Sequence, residues 1–179
     1  MARIFFPMGE KGKSRVLDKL RIGSILDIAC GSGGLLRDAV EVGARPFGSD
    51  NSWGMLTETR KNAPSAALVQ ASFYELPFAE SVFDTVVETN AVSGVHIESD
   101  SVLSEMVRVC KLGGEIRIGD YAKSPKENLW TRFMERIGIL FGDYPHDYVT
   151  YFRARGFATE VEYLGFDGMY QYVSTEKAI

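Results

Sequence analysis

Residues 25–36 read Ile-Leu-Asp-Ile-Ala-Cys-Gly-Ser-Gly-Gly-Leu-Leu, and no other stretch constrains the fold as much. A β-branched apolar run enters a cluster of glycines, and a helical apolar pattern leaves it. A strand that turns this sharply into a helix places backbone amides beside a helix N-terminus. Missing side chains at Gly31 and Gly33 let a ligand approach the backbone closely. The pattern predicts the first βα unit of an α/β domain.

The rest of the chain repeats the alternation. The first strand covers Ile25–Ile28, and the helix after it turns Leu35, Leu36, Ala39 and Val40 to one face, with Gly43 as its terminator. Arg45 to Ser49 is a weaker second strand, with Pro46 at its start or on an unpaired side. Trp53 to Lys61 is a helix, stopped before Pro64. Ala67-Leu68-Val69 and Val82 to Val87 are the third and fourth strands, with Glu88 near the end of the fourth. A helix capped by Ser99 or Asp100 carries Val102, Met106 and Val109 at spacings of four and three. Gly113-Gly114 turns into a fifth strand, Glu115 to Gly119.

Residues 121–148 are rich in aromatics and read as a lid-like insert. A helix is expected at about 126–140, with Trp130, Phe133 and Phe141 at core or pocket positions, and a short one at about 146–155. Ala158 to Leu164 and Met169 to Ser174 then form an antiparallel hairpin around Gly165-Phe166-Asp167-Gly168. The expectation is a Rossmann-like, doubly wound, mostly parallel sheet of seven strands closed by that hairpin, with helices on both faces. A length of 179 residues fits a single domain, with 1–22 as a short N-terminal segment.

Composition bears on partners. With 20 Lys plus Arg against 24 Asp plus Glu, the net charge is −4. A mildly acidic chain with no basic cluster is a poor match for a phosphate backbone, so nucleic acid is not expected. The longest apolar runs fall far short of a bilayer span, so no membrane is expected. The N-terminal apolar piece is too short for a signal-peptide core, which points to the cytoplasm. Cys30 and Cys110 show neither zinc-ligand spacing nor a disulfide framework, read as small buried thiols, and call for no metal.

The loop's chemistry is selective. A nicotinamide-binding loop prefers glycine where Leu36 stands, and a phosphate loop carries a lysine that is absent here. Asp27, just ahead of the glycines, would repel a pyrophosphate. Asp50 ends the second strand, where a carboxylate can accept hydrogen bonds from ribose hydroxyls, although Asp50 or Asn51 could instead cap the next helix.

Leu26-Asp27-x-x-Cys30-Gly31-x-Gly33-x-x-Leu36 resembles motif I of the class I S-adenosylmethionine-dependent methyltransferases. Asp50-x-Ser52-x-x-Met55-Leu56 resembles their acidic motif after the second strand. Leu76-Pro77-Phe78 with Phe83-Asp84, and Glu105 to Arg108 with Gly113-Gly114, are similar to the segments before strands four and five. The set covers about residues 23–120 and lies nearest the branch containing ubiquinone and menaquinone biosynthesis methyltransferases. The resemblance implies S-adenosyl-L-methionine as cofactor and a small-molecule methyl acceptor.

By that resemblance Ala29, Cys30, Gly31 and Gly33 lie along the cofactor, and Asp27 helps hold its amino group. Asp50 binds the ribose, Asn51 and Met55 flank the adenosine, and Thr89 and Asn90 face the methionine moiety. Ser72-Phe73 stands where the family usually has an acidic residue near the adenine, so Ser72 offers a hydroxyl without charge assistance. His146 is the preferred base and His96 the second, needed only if the acceptor must lose a proton. Tyr121, Tyr144 and Tyr148 are candidates to line an acceptor pocket. Helices that usually precede the first strand in this family are mostly missing, which leaves the site open or covered by a second subunit in a homo-oligomer. Ser72 and the short N-terminus keep a catalytically inactive cofactor-binding module as the alternative, and an oxidoreductase as a weaker one.

Overall fold

The computed structural model describes residues 12, 14–18, 20, 22–96 and 98–177. Its strands are β1 (Ser24–Ile28), β2 (Arg45–Asp50), β3 (Ala67–Gln70), β4 (Phe83–Thr89), β5 (Cys110–Tyr121), β6 (Ala158–Gly165) and β7 (Tyr170–Glu176). The helices used below are α1 (Gly34–Glu41), α2 (Trp53–Asn62), α3 (Ser99–Val109), α4 (Leu129–Leu140) and α5 (Tyr148–Arg153). One seven-stranded sheet runs in the order β3-β2-β1-β4-β5-β7-β6. The first five strands pair in parallel, and β7 runs antiparallel between β5 and β6. The expected Rossmann-like architecture, with its closing hairpin, is the observed one. Strand order reverses between β1 and β4, which opens a crevice beyond their carboxyl ends.

Every residue of β1 is buried, as in an inner parallel strand covered on both sides. Leu26, Ile28, Val86, Ile116 and Ile118 share one core layer with Val102, Met106 and Val109 of α3. Ile25 and Val87 share the other with Leu35 and Ala39 of α1. Arg45 donates its backbone N–H to the Gly23 carbonyl at 2.8 Å, on the β1 side. Alternation then aims position 46 at β3, whose pairing begins only at Phe47. Pro46 therefore withholds no ladder bond.

Several sequence expectations are corrected at the level of side chains. Val40 is exposed rather than on the packed face of α1, because α1 ends one residue later at the open Gly43 turn. The cap of α3 is Glu98, with no side-chain bond, rather than Ser99 or Asp100. The fifth strand is longer than expected, and Gly113-Gly114 lies within it, where the pairing with β4 jumps from Phe83–Cys110 to Thr85–Glu115. Helix α4 begins three residues later than expected, because Asn128 accepts from the Thr131 N–H and Thr131 returns a bond to the Asn128 N–H. Trp130, Phe133 and Phe141 are about half exposed, so they are not core residues. The body-facing side of α4 is made instead of Thr131, Met134 and Gly138. A Cβ at Gly138 would stand 3.1 Å from the Tyr121 ring, so the absence of a side chain sets how closely the helix lies.

Candidate functional site

The turn after β1 is fastened from three sides. Cys30 donates its N–H to the Ser49 carbonyl of β2 at 2.9 Å, and Gly33 donates to the Cys30 carbonyl at 3.0 Å. From α2, the Thr59 hydroxyl donates to the Gly31 carbonyl at 2.7 Å, and the Asn62 amide donates to the Ser32 carbonyl at 2.8 Å. From the end of β2, the Asp50 carboxylate accepts the Gly31 N–H at 2.9 Å. Ala29, Gly31 and Gly33 all have positive φ, at 53°, 55° and 79°. For alanine the left-handed region costs about 1–2 kcal/mol, and such residues gather at binding turns. Asn90, just past β4, repeats the feature at φ 57°. Two left-handed residues thus sit at the ends of adjacent strands, on either side of the crevice.

Gly31 and Gly33 differ in what surrounds them. A Cβ at Gly31 would meet nothing within 4 Å, whereas one at Gly33 would stand 2.5 Å from Thr59 Cγ2 and 3.0 Å from Thr59 Cα. Gly31 therefore borders open space at the crevice, and Gly33 is a packing requirement. Cys30 is a buried thiol, and burial, then the charge of Asp27, pushes it up to about 12, away from the thiolate form. Cys110 is buried as well, and burial pushes its thiol up to about 12.

Asp50 orders two elements at once. Its Oδ2 takes the Gly31 N–H, and its Oδ1 takes the Ser52 N–H at 2.8 Å. Ser52, not Asp50 or Asn51, caps α2, accepting the Met55 N–H. Two backbone bonds leave a carboxylate with further lone pairs for ligand hydroxyls. Asn51 and Met55 are exposed beside it, and the Asn51 carbonyl accepts the Gln70 amide. Asp27 is buried under the turn. Ser72 closes its own small turn, its hydroxyl accepting the Tyr74 N–H at 3.2 Å, and Phe73 meets the Tyr74 ring edge-on.

Beyond β4 the backbone is held by two buried carboxylates that sequence reasoning missed. Glu88 Oε1 accepts the N–H groups of Ala91 and Val92. Asp120, at the end of β5, accepts the Ser93 N–H at 2.7 Å, the Tyr121 N–H at 2.7 Å and the Tyr148 hydroxyl at 3.0 Å. Glu88 Oε2 has no hydrogen-bond partner among the described residues. Burial raises the pKa of both carboxyls, and three donors on Asp120 against two on Glu88 favour Glu88 as the holder of the pair's proton. Burial, and then the charge of Asp120, raises the Glu88 pKa well above its ordinary value. The only sequence signal was one acidic residue near the end of each of two inner strands.

This pair makes a prediction. A carboxyl whose folded pKa is raised stabilises the fold fully below its unfolded pKa, and that contribution declines as pH rises toward the folded pKa. Wild-type melting temperature should fall as pH rises from about 5 toward about 8, and Glu88→Gln, which cannot ionise, should flatten that fall. Melting curves of both proteins across that range measure it. Parallel pH profiles would show that Glu88 is ionised in the fold.

The remaining candidates sit around the same loop. Thr89 ends β4, and the Tyr170 hydroxyl lies between the Asn90 side-chain amide at 2.8 Å and the Gly119 carbonyl at 2.9 Å. His146 Nε2 is 2.8 Å from the Val95 carbonyl, which can only accept, so Nε2 carries the proton and Nδ1 is the basic nitrogen. The His96 ring lies 4.4 Å from that of Tyr144, centroid to centroid. Both histidines and Tyr144 therefore border the post-β4 segment, which the Tyr144 N–H also ties through the Ser93 carbonyl at 2.7 Å. Tyr121 and Tyr148 are fully buried, Tyr121 with Met134, Met169 and Tyr170, and Tyr148 on Asp120. Among the described residues no cluster of His, Cys, Asp or Glu could hold a metal ion.

Comparison with known proteins gives these features a context. Residues 25–114 match a family described as "Methyltransferase domain". Demethylmenaquinone methyltransferase of Beutenbergia cavernae is 30% identical over 126 residues, covering 70% of this chain and 49% of that protein. The protein of the same name from Thermobifida fusca is 34% identical over 110 residues, covering 59% and 46%. The chain thus spans about half the length of the curated relatives it matches. Geranyl diphosphate C-methyltransferase from Streptomyces coelicolor, solved with Mg2+, geranyl diphosphate and S-adenosyl-L-homocysteine, superposes with a TM-score of 0.75 at 16% identity. The match covers 94% of this chain and 77% of that one.

Proposed function

Because the chain belongs to this methyltransferase domain family, we propose that it is an S-adenosylmethionine-dependent enzyme that moves a methyl group to a small-molecule acceptor. The observation that carries the cofactor assignment is the bond from the Gly31 N–H to Asp50. In a phosphate-binding loop that amide would point at the ligand's phosphate. Here a carboxylate already occupies it, and a second one, Asp27, is buried beneath the turn. The donor set suits a ligand with a ribose and a cationic amino-acid tail, and it disfavours a diphosphate. The open space at Gly31 gives such a ligand room against the backbone.

The residues divide the work. Asp50 accepts hydrogen bonds from the ribose hydroxyls, while the bonds from Gly31 and Ser52 hold its carboxylate in place. Asp27 attracts the ligand's ammonium group. Asn51 and Met55 flank the adenosine, with Ser72 and Phe73 at its far end. Thr89 and Asn90 face the methionine portion, and Tyr170 fixes the orientation of the Asn90 amide. Held by these residues, S-adenosylmethionine would supply a methyl on positively charged sulfur, open to in-line displacement by an acceptor's lone pair with the carbon–sulfur electrons leaving on sulfur. Such a displacement needs alignment and exclusion of water more than it needs a catalytic group. If the acceptor must lose a proton, His146 Nδ1 is the preferred base and His96 the alternative.

The likeness to demethylmenaquinone methyltransferases supports a small apolar acceptor. Ser72 in place of an acid favours a second reading, a module that binds the cofactor without turnover. Incubation with methyl-labelled S-adenosylmethionine and a panel of reduced quinones, phenols and amines separates the two. Acceptor-dependent label transfer is the expected result. Tight binding of the cofactor with no transfer to any member would favour the module.

A further inference from the structure

Helix α4 has two apolar sides, and only one is used. Thr131, Met134 and Gly138 face the body. At about 100° per residue, Leu129, Phe133 and Leu140 fall on the opposite side. They are 87%, 54% and 75% exposed. Trp130 and Ile139 flank this strip, both about half exposed, and the Trp130 ring lies 6.1 Å from that of Phe133. Exposed apolar side chains grouped on one helix face mark an interaction surface.

Charge narrows the choice of what covers it. Arg132 and Arg136 lie on the exposed half of α4. The one acid of the helix, Glu135, is half-buried on the flank toward Tyr121, whose hydroxyl its charge helps raise. Glu127, ahead of the helix, stands 3.6 Å from Arg132, but both side chains are about two-thirds exposed, so the pair is weak. The outward half of the helix is therefore apolar and cationic, in a chain whose net charge is −4.

A second copy of the chain is a poor occupant. Two-fold packing of the same faces would bring four arginines together, with no carboxylate from the outward half of either helix to receive them. A ridge formed by one helix also offers no groove for a peptide. An anionic plane with an apolar interior meets both properties at once: leucine, phenylalanine and tryptophan enter the acyl boundary, and the arginines remain at the headgroups. We propose that the outward face of α4 docks on an anionic lipid surface. This is surface attachment rather than spanning, since no helix among the described residues is long and apolar enough to cross a membrane. It departs from the sequence expectation of no membrane partner, and it stands independently of methyl transfer.

Sedimentation with sucrose-loaded vesicles tests it, using one part phosphatidylglycerol to two parts phosphatidylcholine, and pure phosphatidylcholine as comparison. The chain should pellet with the anionic vesicles, less with neutral ones, and less as salt rises. Leu129→Asp with Phe133→Asp should cut partitioning about tenfold or more. Both side chains point away from the body, so far-UV circular dichroism and melting temperature should match wild type. Arg132→Gln with Arg136→Gln should lower binding to anionic vesicles and leave binding to neutral ones unchanged. Absence of vesicle binding would overturn the proposal, as would binding that survives the aspartate pair. A solution dimer that the aspartate pair dissolves would assign the face to a second copy and overturn it equally.

Discussion

Asp50→Ala should weaken binding of S-adenosylmethionine by roughly tenfold to a hundredfold. A hydrogen bond to a charged group contributes about 1.5–3 kcal/mol, and a factor of ten in affinity is about 1.4 kcal/mol. The side chain also orders the backbone around it. It receives the Gly31 N–H at 2.9 Å and the Ser52 N–H at 2.8 Å, so its removal loosens the glycine turn and the start of α2 together. Asp50→Asn separates these effects, because the amide keeps one acceptor oxygen and loses the charge. Calorimetric titration of the three proteins should rank wild type tightest, asparagine between, and alanine weakest. Equal affinities in all three would remove Asp50 from the site.

Gly33→Ala should destabilise the fold by about 2–5 kcal/mol, the sum of a left-handed backbone for a residue with a Cβ and of overpacking against a neighbour. The added methyl would stand 2.5 Å from Thr59 Cγ2 and 3.0 Å from the Thr59 backbone. Thr59 cannot simply rotate aside, since its hydroxyl donates to the Gly31 carbonyl at 2.7 Å. For a chain of this length the melting temperature should drop on the order of 10 °C. Gly43→Ala is the control: its φ is 84°, similar to the 79° of Gly33, but a Cβ there would meet nothing within 4 Å. It should show the backbone cost alone, about 1–2 kcal/mol. Equal losses in the two variants would mean that contact with Thr59 carries no weight.

The two glycines show what the sequence could and could not disclose. The strand, the glycine turn and the helix after it were legible because local chemistry dictates them. Asp50 was legible too, since a carboxylate closing a second strand has a recognisable place beside such a turn. Thr59 and Asn62, which hold the turn's carbonyls from α2, were not legible. Their bonds join residues about 30 positions apart, and nothing in the local pattern marks them. Glu88 and Asp120 were hidden for a related reason, because only the neighbouring positions of β4 and β5 bring two lone acids together. Helix α4 failed differently. Its periodicity announced an apolar stripe, and large aromatics read as interior. Close approach at Gly138 gave the inward side to Thr131, Met134 and Gly138 instead and left Phe133 and Trp130 outside.

On the proposed reading, the glycine turn and Asp50 hold S-adenosylmethionine and not a phosphate-bearing nucleotide. Titration of the wild-type chain with S-adenosylmethionine and, in parallel, with NAD tests it most directly. Saturable heat with S-adenosylmethionine and none with NAD is the predicted result. Heat with NAD alone, or with neither ligand, would contradict the assignment.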